Sequence, residues 1–489
     1  MIKRLIQKIK NWFTKKENKG RRLIFIRMRY LGINCLNHDA AMAIVEDDKI
    51  IWAAHAERYS QVKNDKFLNL DIISEAHMNG PWDCVVYFER PILKKARQLV
   101  ATQYNKAFDY KKLPSVYLKQ FNIKIDEYVS HHESHMAGGY YTAPFDDANV
   151  LTIDAIGEFE TLTIWDNDKK IHSKKYPFSI GLLYSAITDR IGLKANEEEY
   201  ITMGMAAYGK PNYTTAIKKL LKTNLHKGCR DFLPWAKPFE LAASVQKVYE
   251  EILLILVDKY CKKDNLIISG GCALNCVANS LVKKNIWIMP NPGDSGSALG
   301  CIPAVTKKKL KWEGPFLGTN IEGEYPVDSI IKEIRSHDMV GVANGRAEYG
   351  PRALGNRSLL ADPRGDDVKN KVNMIKKRQK FRPFAPAILE EDVHEYFEMP
   401  VRKSPYMQFV AKCKHPEDFP AIVHADGTSR VQTVSEKDNP GFYNLLKTWK
   451  DKTGCPMLLN TSLNIKGKPM VNNRFHADKF EKEYNVKVV

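Results

Sequence analysis

The chain has 489 residues, 44% of them hydrophobic, and a formal charge of +18. That length exceeds one ordinary domain and that apolar share fills a sizeable core, which excludes a small scaffold and a disordered chain. No run approaches eighteen consecutive apolar residues, so no transmembrane helix is expected. In chain order, residues 1–23 come first. Ile2, Leu5, Ile6, Ile9, Trp12 and Phe13 recur at helical spacing with lysines on the other face, which predicts a basic amphipathic helix. Such a helix docks on its own domain or another subunit, on nucleic acid, or on a membrane surface. From Ile24 the pattern alternates apolar and polar, predicting a strand, a turn and further strands with a tight turn at Asp47–Asp48. Short buried strands are predicted at Trp82–Phe88, Asn149–Ile153, the TLTIWD stretch and the NLIIS stretch from Asn265. Helical segments such as the run from Pro238 lie between them, so the fold class is α/β. The motifs at Asp39, Asp154 and Gly270–Gly271 each follow a strand, where open α/β sheets bind ligands.

Residues 303–335 form a basic passage with proline and glycine, and the domain boundary is placed there. The expected units are 1–23, 24–318 and 330–489. No internal repeat is visible in the sequence. The nine cysteines are scattered without a CxxC pair, which predicts a reduced, cytoplasmic protein, in a phage-infected host cell among other settings.

The densest chemical signal runs from Tyr349 to Arg364, YGPRALGNRSLLADPR, with Arg346 just upstream. Lys376–Pro386 (KKRQKFRPFAP) and Thr428–Val434 (TSRVQTV) repeat the theme. These arginines sit among glycine, proline and apolar residues rather than other charges, which points to an anion pocket. His131 and His135 are four apart and share one face of a helix, a common half of a metal site, while His132 points elsewhere. With Asp154 and Asp294 they suit iron(II), manganese or zinc. Gly270, Gly271 and Asn275 form a strand-to-helix turn that lets a nucleotide approach the backbone, and Gly293 adds a second glycine-rich wall.

These motifs, in this order, closely resemble the NodU/CmcH family of O-carbamoyltransferases over roughly residues 30–472. The runs from His38 (HDAAMAIVEDDKIIWAAHAERYSQVKND) and His131 (HHESHMAGGYYTAPF), ISGGCALNCVAN, PNPGDSGSALG and PMLLNTSLNIKGKPMV carry the resemblance with the arginine runs. The resemblance implies a duplicated actin-like ATPase fold followed by a YrdC-like α/β domain. It assigns metal binding to His131, His135, Asp154 and Asp294, and makes His38, beside Asp39, the general base on the acceptor hydroxyl. It assigns a carbamoyl phosphate clamp to Arg346, Arg352, Arg378, Arg382 and Arg430, with Asn460 and Ser462 as neutral donors. The implied cosubstrates are carbamoyl phosphate and ATP, with magnesium beside the site metal. Two departures stand out: the family's HDSS or HDAS reads HDAA, so Ala41 lacks a hydroxyl, and Gln379 replaces the acidic residue usual after the Lys-Arg pair.

The motifs do not name the acceptor. The +18 charge favours a polyanion, so a hydroxymethylated pyrimidine such as 5-hydroxymethylcytosine in DNA is the expected acceptor. The alternatives are a small-molecule or glycan hydroxyl, and a non-catalytic nucleic-acid-binding protein on the same fold. A homo-oligomer remains open.

Overall fold

A computed structural model describes residues 27–489 except Asp366 and Lys380. The predicted helix over 1–23 lies outside the described residues. Alternating apolar residues build a first sheet from β1 (Arg29–Asn34), β2 (Ala41–Glu46), β3 (Lys49–His55), β4 (Cys84–Tyr87) and β5 (Glu127–Tyr128), in the order β3-β2-β1-β4-β5. Its first three strands are antiparallel and β4 and β5 run parallel to β1. Helix α1 (Pro91–Val100) follows β4, and helix α2 (His131–Tyr140) follows β5.

A second sheet uses β6 (Asn149–Ile153), β7 (Glu160–Asp166), β8 (Lys169–Lys175), β9 (Asn265–Ser269) and β10 (Asn285–Trp287), in the order β10-β9-β6-β7-β8. Its directions repeat those of the first: an antiparallel meander from β6, then β9 and β10 parallel to it. The fold is therefore an internal duplication that the sequence does not display. Helix α3 (Pro238–Tyr260) leads into β9, and α4 (Ser297–Thr306) follows β10. Helices α2 and α4 pack together between the two sheets, and their crossing is intimate. A Cβ on Gly300 would lie 2.1 Å from the Ser134 carbonyl oxygen and 3.0 Å from Gly138 Cα. Only glycine fits, and that contact brings the start of α4 beside the start of α2.

Helix α4 runs through Pro303 and ends at Thr306, within the passage 303–335. Beyond it, β11 (Phe316–Ile321) pairs antiparallel with β13 (Gly345–Glu348), with β12 (Met339–Ala343) between them in the chain, so a boundary at residue 318 cuts a strand. The remaining strands include β14 (Arg357–Ala361), β15 (Ala385–Leu389), β16 (Phe397–Glu398), β17 (Val410–Cys413), β18 (Thr428–Arg430), β19 (Gln432–Val434) and β20 (Met457–Ser462). They form a mixed sheet of order β12-β14-β20-β15-β19 and a small sheet of order β16-β17-β18. Helix α5 (Val368–Ile375) precedes the arginine loop. A separate core of Ile330, Val340, Leu359, Ile388, Phe442, Trp449 and Leu458 supports this unit. No described helix is long and apolar enough to cross a membrane.

Candidate active site

The carboxyl ends of β1, β6 and β9 meet the starts of α2 and α4 at one place. His131 and His135 project from successive turns of α2, as their spacing predicts, and their Nε2 atoms lie 3.1 Å apart. His131 Nε2 is 3.1 Å from Asp154 Oδ2, and His135 Nε2 is 3.3 Å from Asp294 Oδ1. Asp154 directly follows β6 and Asp294 precedes α4. One donor atom from each of the four residues lies within 4.8 Å of the others, and all four are buried. His132 turns away to Thr163 Oγ1 at 3.0 Å.

This donor set fits a divalent metal. Two imidazole nitrogens aimed at one point 3.1 Å apart, with a carboxylate oxygen on either side, make the arrangement of ligands around a shared cation. Each ring also has a neighbour for its other nitrogen: Ser297 Oγ lies 3.3 Å from His135 Nδ1, and Glu89 Oε1 lies 3.8 Å from His131 Nδ1. Burial disfavours charge on Asp294, but His131 and His38 outweigh it and hold its carboxyl at about 2. Asp154 is lowered further: burial opposes the shift, and the His131 hydrogen bond and charge overcome it. Burial likewise disfavours the His131 imidazolium, yet Asp294 and Asp154 hold it up at about 9.

His38 sits in a sharp turn after β1. Asp39 there has φ +57°, and the turn is tied down by Leu36 N–H to Lys66 O at 2.7 Å and Ala40 N–H to Asp65 O at 2.7 Å. The His38 ring reaches Asp39 Oδ2 at 3.1 Å through Nδ1 and Asp294 Oδ2 at 3.6 Å through Nε2. Burial lowers the His38 pKa, but Asp294 and Asp39 override it and raise it to about 10. A cation held by Asp294 and Asp154 would cancel the carboxylate charge responsible and return the ring toward a neutral base. Asn37, which the sequence did not single out, donates to Asp294 Oδ2 at 2.9 Å.

The same cavity, about 420 Å³, has a second wall. Arg352, Arg378, Arg382 and Arg430 line it, joined by Lys376, which sequence reasoning placed in the basic run but not in the site. Among the described residues, no carboxylate lies within ion-pair distance of any of the five. Burial lowers the pKa of each, and their neighbours' positive charge adds to this for Arg352, Arg378 and Lys376. Lys376 Nζ rests on neutral acceptors: the Ser462 carbonyl, Ser462 Oγ at 3.1 Å and Asn464 Oδ1 at 2.7 Å. Arg378 is steadied by Asn373 Oδ1 at 2.6 Å and by the Phe384 ring 3.8 Å from its Cζ. Arg382 lies over the Tyr200 ring at 4.7 Å. A cluster of like charges, half-buried at the four arginines and buried at Lys376, with no counter-ion among the described residues, suits an anion.

Arg346 requires a correction. It does not line the cavity. Its guanidinium donates to the carbonyls of Gly318, Ile51 and Leu317, so it joins β3 and β11 rather than a ligand. Arg357 is similarly structural, fully buried and spent on the carbonyls of Asn472, Asn344 and Thr319. Asn460 and Ser462 do line the cavity, but the Asn460 amide donates inward, to Gln432 Oε1 at 2.7 Å and Ala353 O at 3.2 Å. Ser462 Oγ donates to Asn464 Oδ1 at 2.6 Å. In the glycine turn, Gly271, Asn275 and Gly293 reach the cavity, while Gly270 (φ +85°) shapes the turn behind it. The helix after Asn275 is one turn long, Cys276–Asn279, and Asn275 caps it by accepting from Ala278 N–H. Gly271 N–H donates to Asp154 Oδ1 at 3.2 Å, joining the glycine turn to the metal-type cluster.

A duplicated α/β core with a His₂Asp₂ cluster that could hold a metal thus faces, across one cavity, guanidinium groups that have no counter-ion among the described residues. The comparisons give the family. The carbamoyltransferase C-terminus family matches residues 331–489 and the carbamoyltransferase N-terminus family matches residues 88–241 and 235–302. The chain belongs to the carbamoyltransferase family and is an O-carbamoyltransferase. It is 30% identical to nodulation protein NolNO of Sinorhizobium fredii, over 90% of this chain and 76% of that protein. It is 28% identical to the 3'-hydroxymethylcephem-O-carbamoyltransferase of Amycolatopsis lactamdurans, over 89% of this chain and 93% of that one. An uncharacterized Synechocystis protein is 32% identical over 90% of this chain and 92% of its own. Among solved structures, component A of (R)-2-hydroxyglutaryl-CoA dehydratase from Acidaminococcus fermentans aligns at TM-score 0.37 and 12% identity, over 57% of this chain and 98% of that chain.

Proposed function

We propose that the chain activates carbamoyl phosphate with ATP at the guanidinium wall and delivers the carbamoyl group to an acceptor hydroxyl beside His38. The observation that supports this is one cavity lined on one side by Arg352, Lys376, Arg378, Arg382 and Arg430, which have no counter-ion among the described residues, and on the other by Asp154 and Asp294 of the His₂Asp₂ cluster. In the first step water cleaves the carbamoyl–phosphate bond, releasing inorganic phosphate. The carbamate oxygen then attacks the α-phosphorus of ATP, and pyrophosphate leaves. Arg352, Arg378, Arg382, Arg430 and Lys376 hold the anionic oxygens, and Gly271 and Gly293 let the nucleotide approach the backbone. This unit is read as YrdC-like on the resemblance. In the second step the acceptor oxygen attacks the carbamoyl carbon, His38 takes its proton and AMP departs with the bonding pair. Asp39 orients the His38 ring through Nδ1. His131, His135, Asp154 and Asp294 would hold a divalent metal, which supplies Lewis-acid polarisation of the carbonyl and an anchor for phosphate oxygens.

For the acceptor, the structure favours a small-molecule or glycan hydroxyl over the hydroxymethylated base in DNA. Residues 1–22 hold nine Lys or Arg against one Glu, and Arg352, Lys376, Arg378, Arg382 and Arg430 line the cavity. The charge that motivated a polyanion is thus largely committed or terminal, and a base in duplex DNA must be flipped out to enter. The deciding assay incubates enzyme, ATP and carbamoyl phosphate with a hydroxymethylated heterocycle, an oligosaccharide, and DNA containing 5-hydroxymethylcytosine, followed by mass spectrometry. A carbamoyl adduct on either of the first two supports the reading. An adduct on DNA alone transfers the assignment to nucleic acid.

A further inference from the structure

We infer that Glu89 is the positioning carboxylate for His131, fixed in that role by Lys94; this rests on reading the His₂Asp₂ cluster as a metal site. Glu89 lies two residues beyond the end of β4, in the chain that leads into α1. It is 2% exposed and belongs to none of the motifs that mark the cavity. His131 Nδ1, on the far side of the ring from the other ligands, is buried and has no hydrogen-bond partner among the described residues. Glu89 Oε1 stands 3.8 Å from it, within about 1 Å of a hydrogen bond. The other oxygen of Glu89 is taken: Lys94 Nζ, on the first turn of α1, holds Oε2 at 2.6 Å. The ammonium therefore pins the carboxylate with one oxygen presented to the imidazole.

The ring cannot turn away from this partner. A Cβ on Gly157 would lie 2.5 Å from His131 Cδ2, so the backbone there presses on the ring edge, and Phe88 packs against it with ring centroids 5.5 Å apart. The nearby Glu158 carboxylate is engaged elsewhere, accepting from Arg90 N–H at 2.9 Å. The two histidines are thus differently backed: His135 Nδ1 faces a hydroxyl, Ser297 Oγ, and His131 Nδ1 faces a carboxylate. A carboxylate accepting from Nδ1–H fixes the tautomer that leaves Nε2 free to ligate and makes that nitrogen the stronger donor.

The test titrates the metal-free full chain with Co²⁺ and reads both affinity and the visible ligand-field spectrum. Glu89→Gln should weaken Co²⁺ binding about 10–100-fold and alter the spectrum, while the metal-free unfolding midpoint stays near that of the parent. Wild-type affinity with a wild-type spectrum in Glu89→Gln overturns the assignment. Should that variant not fold, Glu89→Asp takes its place, because it keeps a charge for Lys94 and withdraws the oxygen from His131. Weakened Co²⁺ binding by Glu89→Asp supports the inference, and unchanged binding overturns it. His135→Ala separates the two levels of the argument: Co²⁺ retained there at parental affinity would overturn the metal site itself, whatever Glu89 does.

Discussion

Replacing Arg352 by Met should raise the stability of the ligand-free protein while weakening its hold on phosphate. Burial, then the charges of Arg430 and Arg382, hold the Arg352 guanidinium at about 9 rather than 12.5. That difference corresponds to ~5 kcal/mol against the charged form. Relaxation and solvent screening recover most of it, so a net gain of about 1–2 kcal/mol is expected from an apolar side chain of similar length. For a unit of this size that is a rise of ~2–6 °C in the unfolding midpoint. The sign with pH is defined. Below about 9 the group is charged in both folded and unfolded chains and the penalty is complete. As pH rises from there toward 12.5, the folded chain releases its proton first and the penalty fades. Losing a charged donor to a buried phosphate costs ~1.5–3 kcal/mol, which is ~10–100-fold in the dissociation constant. Thermal unfolding without ligand and calorimetric titration with pyrophosphate and with carbamoyl phosphate measure the two halves. A variant that is less stable than the parent, yet binds both anions equally well, would refute the view of this wall as a strained anion site.

The remaining expectations can be stated briefly. His38→Ala should still release pyrophosphate from ATP in the presence of carbamoyl phosphate but leave the acceptor unmodified, because the ring faces the transfer side of the cavity; loss of both half-reactions would mark a structural histidine. The wild-type protein should carry about one metal per chain by elemental analysis, and a His131/His135 double alanine variant should carry almost none. Gly270→Ala should destabilise by ~3 kcal/mol or more, seen as a lowered denaturation midpoint, since φ is +85° and the new Cβ would lie 2.2 Å from the Ile153 carbonyl oxygen. A near-neutral result there would mean that the turn can be rebuilt.

What the sequence discloses of this site follows from how local each signal is. His131 and His135 were legible because helical spacing alone puts them on one face, and α2 starts at His131 itself. The cavity arginines were legible because glycine and proline flank them in place of other charges. Arg346 misled because its partners, the carbonyls of Ile51, Leu317 and Gly318, come from strands that only the fold brings to it. Lys376 differs from its neighbour Lys377 only in direction, which a run of basic letters cannot encode, and Glu89 looks like any acid beside an arginine. The duplication that the family resemblance implies leaves no visible repeat in the sequence, for another reason. RYLGIN and NVLTI occupy equivalent strands and share little beyond a Leu-x-Ile pair, because a buried strand demands apolar character and leaves most identities free.

The cavity has poles. Arg352, Lys376, Arg378, Arg382 and Arg430 belong to the C-terminal unit, and His38, Asp39, Asp154 and Asp294 to the duplicated core, so a standing potential runs from one wall of the cavity to the other. A guest with phosphoryl oxygens at one end is turned to face the right way before any individual contact forms. The same gradient ranks departures. A carbamoylated alcohol that carries no net charge feels little of it and leaves freely, whereas a multiply charged anion leaves against it, so under the proposed chemistry turnover ends when the anion escapes.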